Sequence, residues 1–249
     1  MRVDWIKNSV ILLCFGLFVP GYIPNQAIAE EITAYLPNLK GQECIVSTPD
    51  GRIESERAHR VKRANFKKEY PSHEARHVAD WVVDSKNNSS LPFVIVDKVD
   101  AKVFVFHRDG DLRGAARVLL GLTRGDDSVP GIGDRKLSSI RPEERTTPAG
   151  RFVASLGYNL QGKEILWVDY VSAISLHRVV TTNPRERRLQ RLASPTTVDK
   201  RITYGCINVP RMFFNNVVSP AFTGTDGIVY VLPETKSARE IFGSYDPDP

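Results

Sequence analysis

Cysteine is scarce in this chain, with three in 249 residues, at Cys14, Cys44 and Cys206. That leaves room for very little disulfide stapling. Long apolar runs are also missing, because the run from Val10 to Ile23 is shorter than the roughly 20 residues a membrane-spanning helix needs and is broken by Pro20 and Gly21. No internal repeat is visible. The Gly131-Ile132-Gly133 triplet lacks the glycine spacing and the following Lys-Ser/Thr of a phosphate loop. No nucleic-acid-reading motif occurs, which with the export signal below argues against nucleic acid as a partner.

What is present begins at the N-terminus. Arg2 and Lys7 precede the apolar run, and the small residues Ala27 and Ala29 stand before Glu30 and Glu31, which reads as a secretory signal peptide over residues 1–29. An uncleaved anchor is the alternative, and it would be the chain's one tie to a membrane. Cys14 lies inside the run without a small-residue lipobox before it. Cleavage after Ala29 would leave about 220 residues, enough for one substantial core. Removing Arg2, Lys7 and Asp4 takes the formal charge from +5 to +4, a mild, dispersed basicity that suits a wall rich in carboxylates. The expected location is the periplasm or cell wall. Of the remaining cysteines, Cys44 and Cys206 either pair in a disulfide or serve separate ends.

Residues 30–90 read as an N-terminal extension, polar to about Tyr70 and then carrying one helix from Ser72 to about Ser85, with Ala75, Val78, Ala79 and Val82 on one face. His73 and His77 at i,i+4 suit either a zinc site or a solvated face. From 91 to 235 the chain becomes a main domain of short strands: Phe93–Asp97, Lys102–His107, a turn at Asp109-Gly110, and Leu112–Leu120. A long loop from Gly121 to Thr147 follows, then strands over Arg151–Leu156, Ile165–Asp169 and Ala173–His177. Asn183 caps a short arginine-rich helix ending before Pro195. Thr203–Asn208 leads into a helix from Pro210 to about Val218, Ile228–Leu232 forms a last strand, and 236–249 is a tail. The fold class is mainly β with a few helices (α+β), arranged as a β-sandwich or a mixed sheet.

The chemistry centres on Cys206, in Thr203-Tyr204-Gly205-Cys206-Ile207-Asn208, a turn expected just ahead of a helix start. A helix N-terminus and a nearby imidazolium both lower a thiol pKa. Gly205 lets the backbone approach a substrate, so the amides of Gly205 and Cys206 could face an oxyanion. His177, ending a strand, is the better base, since His107 sits beside Arg108 and Asp109 in an apparent turn. From residue types alone, a structural cysteine with a hydrogen-bonded histidine remains open beside a catalytic pair.

The ordered motifs resemble the L,D-transpeptidases of the YkuD type, which carry a histidine on one strand and, downstream, a Ser/Thr-His-Gly-Cys-x-Arg/Asn signature. Here the matching elements are His177, then Thr203 to Asn208, with Thr147-Pro148-Ala149-Gly150-Arg151-Phe152 similar to the family's Thr-Pro-x-Gly-x-Phe segment and Gly227 to Leu232 similar to its closing strand. The resemblance spans roughly residues 93–233. It implies an L,D-transpeptidase-like fold, Cys206 as nucleophile, and His177 as base with its ring held by the backbone carbonyl of Arg178. The Gly205 and Cys206 amides would form the oxyanion hole, and Thr203 and Asn208 would shape a substrate site. Tyr204 departs from the family's second histidine; its phenol can donate a hydrogen bond but cannot accept a proton at neutral pH.

The gap between His177 and Cys206 is longer than the family's, and the excess carries Arg185, Arg187, Arg188 and Arg191. These suggest either a rim that recruits acidic stems, with Arg187 and Arg188 foremost, or a solvated helix stabilised by Glu186. The implied substrate is a peptidoglycan stem peptide, cut through a thioester. The implied acceptor is a second stem, a lipoprotein or other protein amine, or water, and no metal or organic cofactor is required. An L,D-carboxypeptidase or other wall-peptide hydrolase, and a non-catalytic peptidoglycan-binding module, are the alternatives.

Overall fold

The computed structural model describes residues 61–247. The signal peptide read at 1–29, the first half of the extension read at 30–90, and Cys14 and Cys44 lie outside the described residues. Helix α1 (His73–Ser85) starts where the Ser72 hydroxyl accepts from the Ala75 amide at 3.1 Å. It ends at Lys86 in the left-handed conformation. Strands β1 (Phe93–Asp97), β2 (Lys102–Phe106), β3 (Leu112–Arg117) and β4 (Leu120–Gly121) follow, then a loop of three short 3₁₀ turns. After it come β5 (Gly150–Tyr158), β6 (Glu164–Asp169) and β7 (Ile174–Arg178), a 3₁₀ turn over Pro184–Glu186, α2 (Arg188–Ala193), β8 (Arg201–Thr203) and β9 (Ile207–Val209). Helix α3 (Arg211–Phe213) runs on through a π-helical turn over Phe214–Val218 into α4 (Ser219–Phe222); β10 (Gly227–Val231) and α5 (Ala238–Phe242) close the chain.

Eight strands form one mixed sheet in the order β3-β2-β1-β10-β5-β6-β7-β9, with β1–β10 and β7–β9 parallel and the other pairs antiparallel. Of the two arrangements the sequence suggests, this is the mixed sheet. A second, two-stranded sheet pairs β4 with β8 in parallel. β1, β2 and β10 are apolar on both sides because both are covered. Phe93, Ile95, Phe104, Phe106 and Tyr230 point toward α1 and α5, whereas Val94, Val96, Val103 and Val105 point toward Phe214, Val218 and Phe222. Each fully buried side chain of this size contributes about 1.5–3 kcal/mol. Phe93 and Phe106 face each other across the β1–β2 ladder with ring centroids 4.7 Å apart.

Four expectations change. The boundary expected at residue 90 falls inside a packed unit: Ala64, Phe66 and the apolar face of α1 share a core with the sheet. That face has nowhere else to bury its side chains. The tail joins the same core, since α5 sets Phe242 against Trp81 and Tyr230. The expected strand over 112–120 breaks after Arg117; Leu119 leaves β2 and exchanges two 2.9 Å backbone hydrogen bonds with Asn208. Finally, no helix begins beside Cys206, because β9 intervenes, drawn into the sheet by β7 on one side and Leu119 on the other. No described helix is long and apolar enough to cross a membrane.

Candidate active site

The parallel pairing of β7 with β9 places His177 beside Asn208, and Cys206 stands at the entry to β9. Alternation along β7 turns Ser175 and His177 to one side and Leu176 into the core. The turn over 203–206 is fixed by two threonines. The Thr203 hydroxyl accepts from the Gly205 amide at 3.1 Å and donates to the Cys206 carbonyl at 2.7 Å. The fully buried Thr147 hydroxyl donates to the Gly205 carbonyl at 2.7 Å and accepts from the Gly121 amide at 2.9 Å. Gly205 has φ 130°. A Cβ there would lie 2.7 Å from Ile174 Cδ1 and 2.8 Å from the Thr146 carbonyl, so only glycine fits.

Among the described residues, Cys206 is a partly exposed thiol without a disulfide partner. Its Sγ lies 3.6 Å from the Ser175 hydroxyl and 3.7 Å from the Ala173 carbonyl, and its titration is linked to that of His177. Burial pushes the thiol pKa up. The hydrogen bond and charge of His177, with the Ser175 backbone and hydroxyl, outweigh burial and bring it below the ordinary value. The expected helix-start effect is absent. For His177, burial disfavours the imidazolium, while Cys206 and the Arg178 carbonyl outweigh that and raise its pKa; the Arg188 charge works against them. His177 Nδ1 is 2.8 Å from the Arg178 carbonyl, an acceptor only, so Nδ1 carries the proton and Nε2 is left with its lone pair. The arrangement can therefore generate a thiolate and receive its proton.

The remaining expected site residues fall elsewhere. The Gly205 amide is taken by Thr203 rather than aimed outward. Thr203 and Asn208 are buried; Thr203 holds the turn and Asn208 meets the His177 ring. The Tyr204 ring lies under the Arg145 guanidinium, 3.9 Å from its centroid, and among the described residues its hydroxyl makes no hydrogen bond into the site. Arg178 is committed to Glu164, Asn215 and the Phe214 ring. Arg187 is exposed, at a left-handed position. Arg188 turns inward, with 11% of its side chain exposed. His107 is exposed. His77 meets Ser244 at 3.1 Å, and no trio of His, Cys, Asp or Glu suited to a metal occurs among the described residues.

Two features were missed in the sequence. Ser175, two residues before His177, carries an alternation signal that could have found it. The fully buried Lys98 had no local signal: its ammonium donates to Asp126 at 2.8 Å and to the Thr147 carbonyl at 3.0 Å, bracing the threonine that holds Gly205. A cleft of about 1100 Å³ opens on the side of Ser175 and His177, lined also by Ile165, Trp167, Val179 and Arg211.

No protein-family model matches the chain, and no curated protein matches it. Among solved structures, the chain is similar to the helical cell shape determining protein Pgp2 from Campylobacter jejuni, at 14% identity and TM-score 0.39 over 59% of this chain and 49% of that one. It is similar to an Enterococcus faecium L,D-transpeptidase at 16% identity and TM-score 0.31, over 57% and 49%. An L,D-transpeptidase from Xylanimonas cellulosilytica gives 14% identity and TM-score 0.35 over 57% and 60%. The chain thus spans about half the length of the first two.

Proposed function

We propose that the protein is a cysteine-dependent L,D-transpeptidase that acts on peptidoglycan stem peptides in the periplasm or cell wall. The observation that carries this reading is the Cys206–His177 pair, with the His177 tautomer set by the Arg178 carbonyl; the motif resemblance supplies the substrate class. His177 Nε2 takes the Cys206 proton as sulfur attacks the carbonyl of the third stem residue. The terminal D-alanine then leaves with that proton on its amine, and a thioester remains. The Ser175 hydroxyl stabilises the thiolate before attack. The Gly205 amide is engaged by Thr203, so the Cys206 amide is the oxyanion donor expected from this turn. An amine from a second stem then attacks the thioester, His177 accepts its proton, and the new amide releases Cys206.

The test is incubation with defined tetrapeptide muropeptides, read by mass. The expected result is loss of D-alanine with an acyl adduct on Cys206 and a cross-linked product. Cys206→Ser should abolish the thioester adduct and the product without altering thermal unfolding. Release of D-alanine with water as the only acceptor would make the protein an L,D-carboxypeptidase. Binding without any adduct would leave a wall-binding module.

A further inference from the structure

Arg188 reaches the site from the arginine-rich segment, not as a rim but as a brace. Its Nε donates to Glu186 at 2.6 Å and its Nη1 to Asn208 Oδ1 at 2.7 Å. Asn208 is 1% exposed, and its other amide atom is 3.2 Å from His177 Nε2. Chemistry fixes which atom is which. A guanidinium only donates, so the Asn208 atom facing it is the oxygen, and the nitrogen must face His177. Because Nδ1 of that ring holds its proton on the Arg178 carbonyl, Nε2 is an acceptor, and the Asn208 N–H completes the match.

We propose that Arg188 is a positioning residue that locks the Asn208 amide with its N–H toward His177 Nε2, so that the ring is held in register and unprotonated at rest, and Nε2 exchanges the Asn208 hydrogen bond for the Cys206 proton as acylation begins. This rests on the reading of Cys206 and His177 as the acylating pair. Without Arg188 the amide is free to turn over and offer its oxygen to Nε2. That contact is poor for a neutral ring and good for an imidazolium, so the flipped amide would hold the proton that the leaving amine needs. The groups around the imidazole are Cys206 from the turn before β9, Ser175 and Arg178 from β7 itself, Asn208 from β9, Arg188 with Glu186 from the connecting segment, and Lys163, Glu164 and Arg211, which line the same cleft. Glu164 of β6 is paired with Arg178 at 3.4 Å. Among these, the Arg188 cation opposes the imidazolium directly, in the same direction as the amide lock.

Two readouts on Arg188→Met test this. The first is the titration of the His177 ring followed by NMR, with the resonance identified by its loss in His177→Gln; it needs no wall substrate. The midpoint is expected to rise by about one pH unit. The second is acylation by a tetrapeptide stem, in which the rate at saturation near neutral pH is expected to fall on the order of tenfold to a hundredfold, with the half-saturating concentration unchanged. Arg188→Lys keeps a cation and a donor and should restore part of both. Glu186→Gln, which unmoors Arg188 without removing it, should shift both readouts in the same direction by less. An unmoved His177 titration in Arg188→Met would overturn the proposal. Weaker stem capture at an unchanged saturated rate would overturn it too, because that is the behaviour of a substrate-recruiting rim. Absence of stem turnover in the unaltered protein, with the titration shifted as expected, would instead count against the assigned substrate.

Discussion

Asp126 and Cys206 are two acids each one residue removed from Thr147, through Lys98 and Gly205 respectively, and they are surrounded in opposite ways. Asp126 accepts from the Lys98 ammonium, the Thr235 hydroxyl and the amides of Glu234, Thr235 and Lys236. Every contact is short and every donor is fixed by the fold. Burial alone would push its carboxyl up, but these donors hold it far below the usual carboxylate range. Cys206 has long contacts to Ser175 and Ala173, and its pKa is lowered by His177, a group that itself changes protonation. A charge saturated with rigid donors is locked and contributes structure. A sulfur with sparse, soft contacts keeps its reactivity.

That contrast is broken most forcefully at the base. His177→Ala should lower the acylation rate by about 100-fold to 10,000-fold, measured in a single turnover, with little change in unfolding. Asp126→Asn should do the reverse, costing about 3 kcal/mol in urea unfolding because it removes the nearer counter-charge of buried Lys98 and leaves only Glu234, at 3.8 Å, to pair with it. Its pH signature follows from the sign of the shift. A depressed folded pKa means that the contribution is complete above the unfolded carboxyl's value of about 3.9. It is lost as pH falls from there toward the much lower folded value, so the unaltered protein and Asp126→Asn should converge in stability in strong acid. Thr147→Val, which joins the two clusters, should show a smaller mixture: about 2 kcal/mol from the unpaired Gly121 amide and Gly205 carbonyl, and slower acylation because the turn loosens. Tyr204→Phe should change stability by less than about 0.5 kcal/mol and leave acylation nearly intact, since the ring keeps its place under Arg145. A large loss there would show that the phenol takes part in proton transfer.

Much of the fold is legible in the sequence where local pattern and burial agree. The apolar runs at 93–97, 102–106 and 228–231 are strands whichever way they pair, and Ser72 announces α1. The loop from 122 to 147 is opaque because its turns are held by distant or ionic contacts, such as Glu144 with Arg135 and Arg141, and not by periodicity. The same distinction divides the site. Residue types mark Cys206, His177 and the Gly205 turn as candidates, and only the order of the motifs separates them from a structural cysteine and histidine. That Arg188 points inward, that Tyr204 stacks on Arg145, and that a strand rather than a helix follows Cys206 all depend on pairings between segments far apart in the chain.

The parallel register of β7 against β9 also limits how this chain can vary in length among descendants. One residue added or lost within 174–178 or 207–209 would move Asn208 to the opposite side of the sheet from His177, severing the line from Arg188 to the imidazole in a single step. Residues between Asn183 and Lys200 carry no such constraint, provided that Arg188 still reaches Asn208. Growth and trimming should therefore accumulate in that connection.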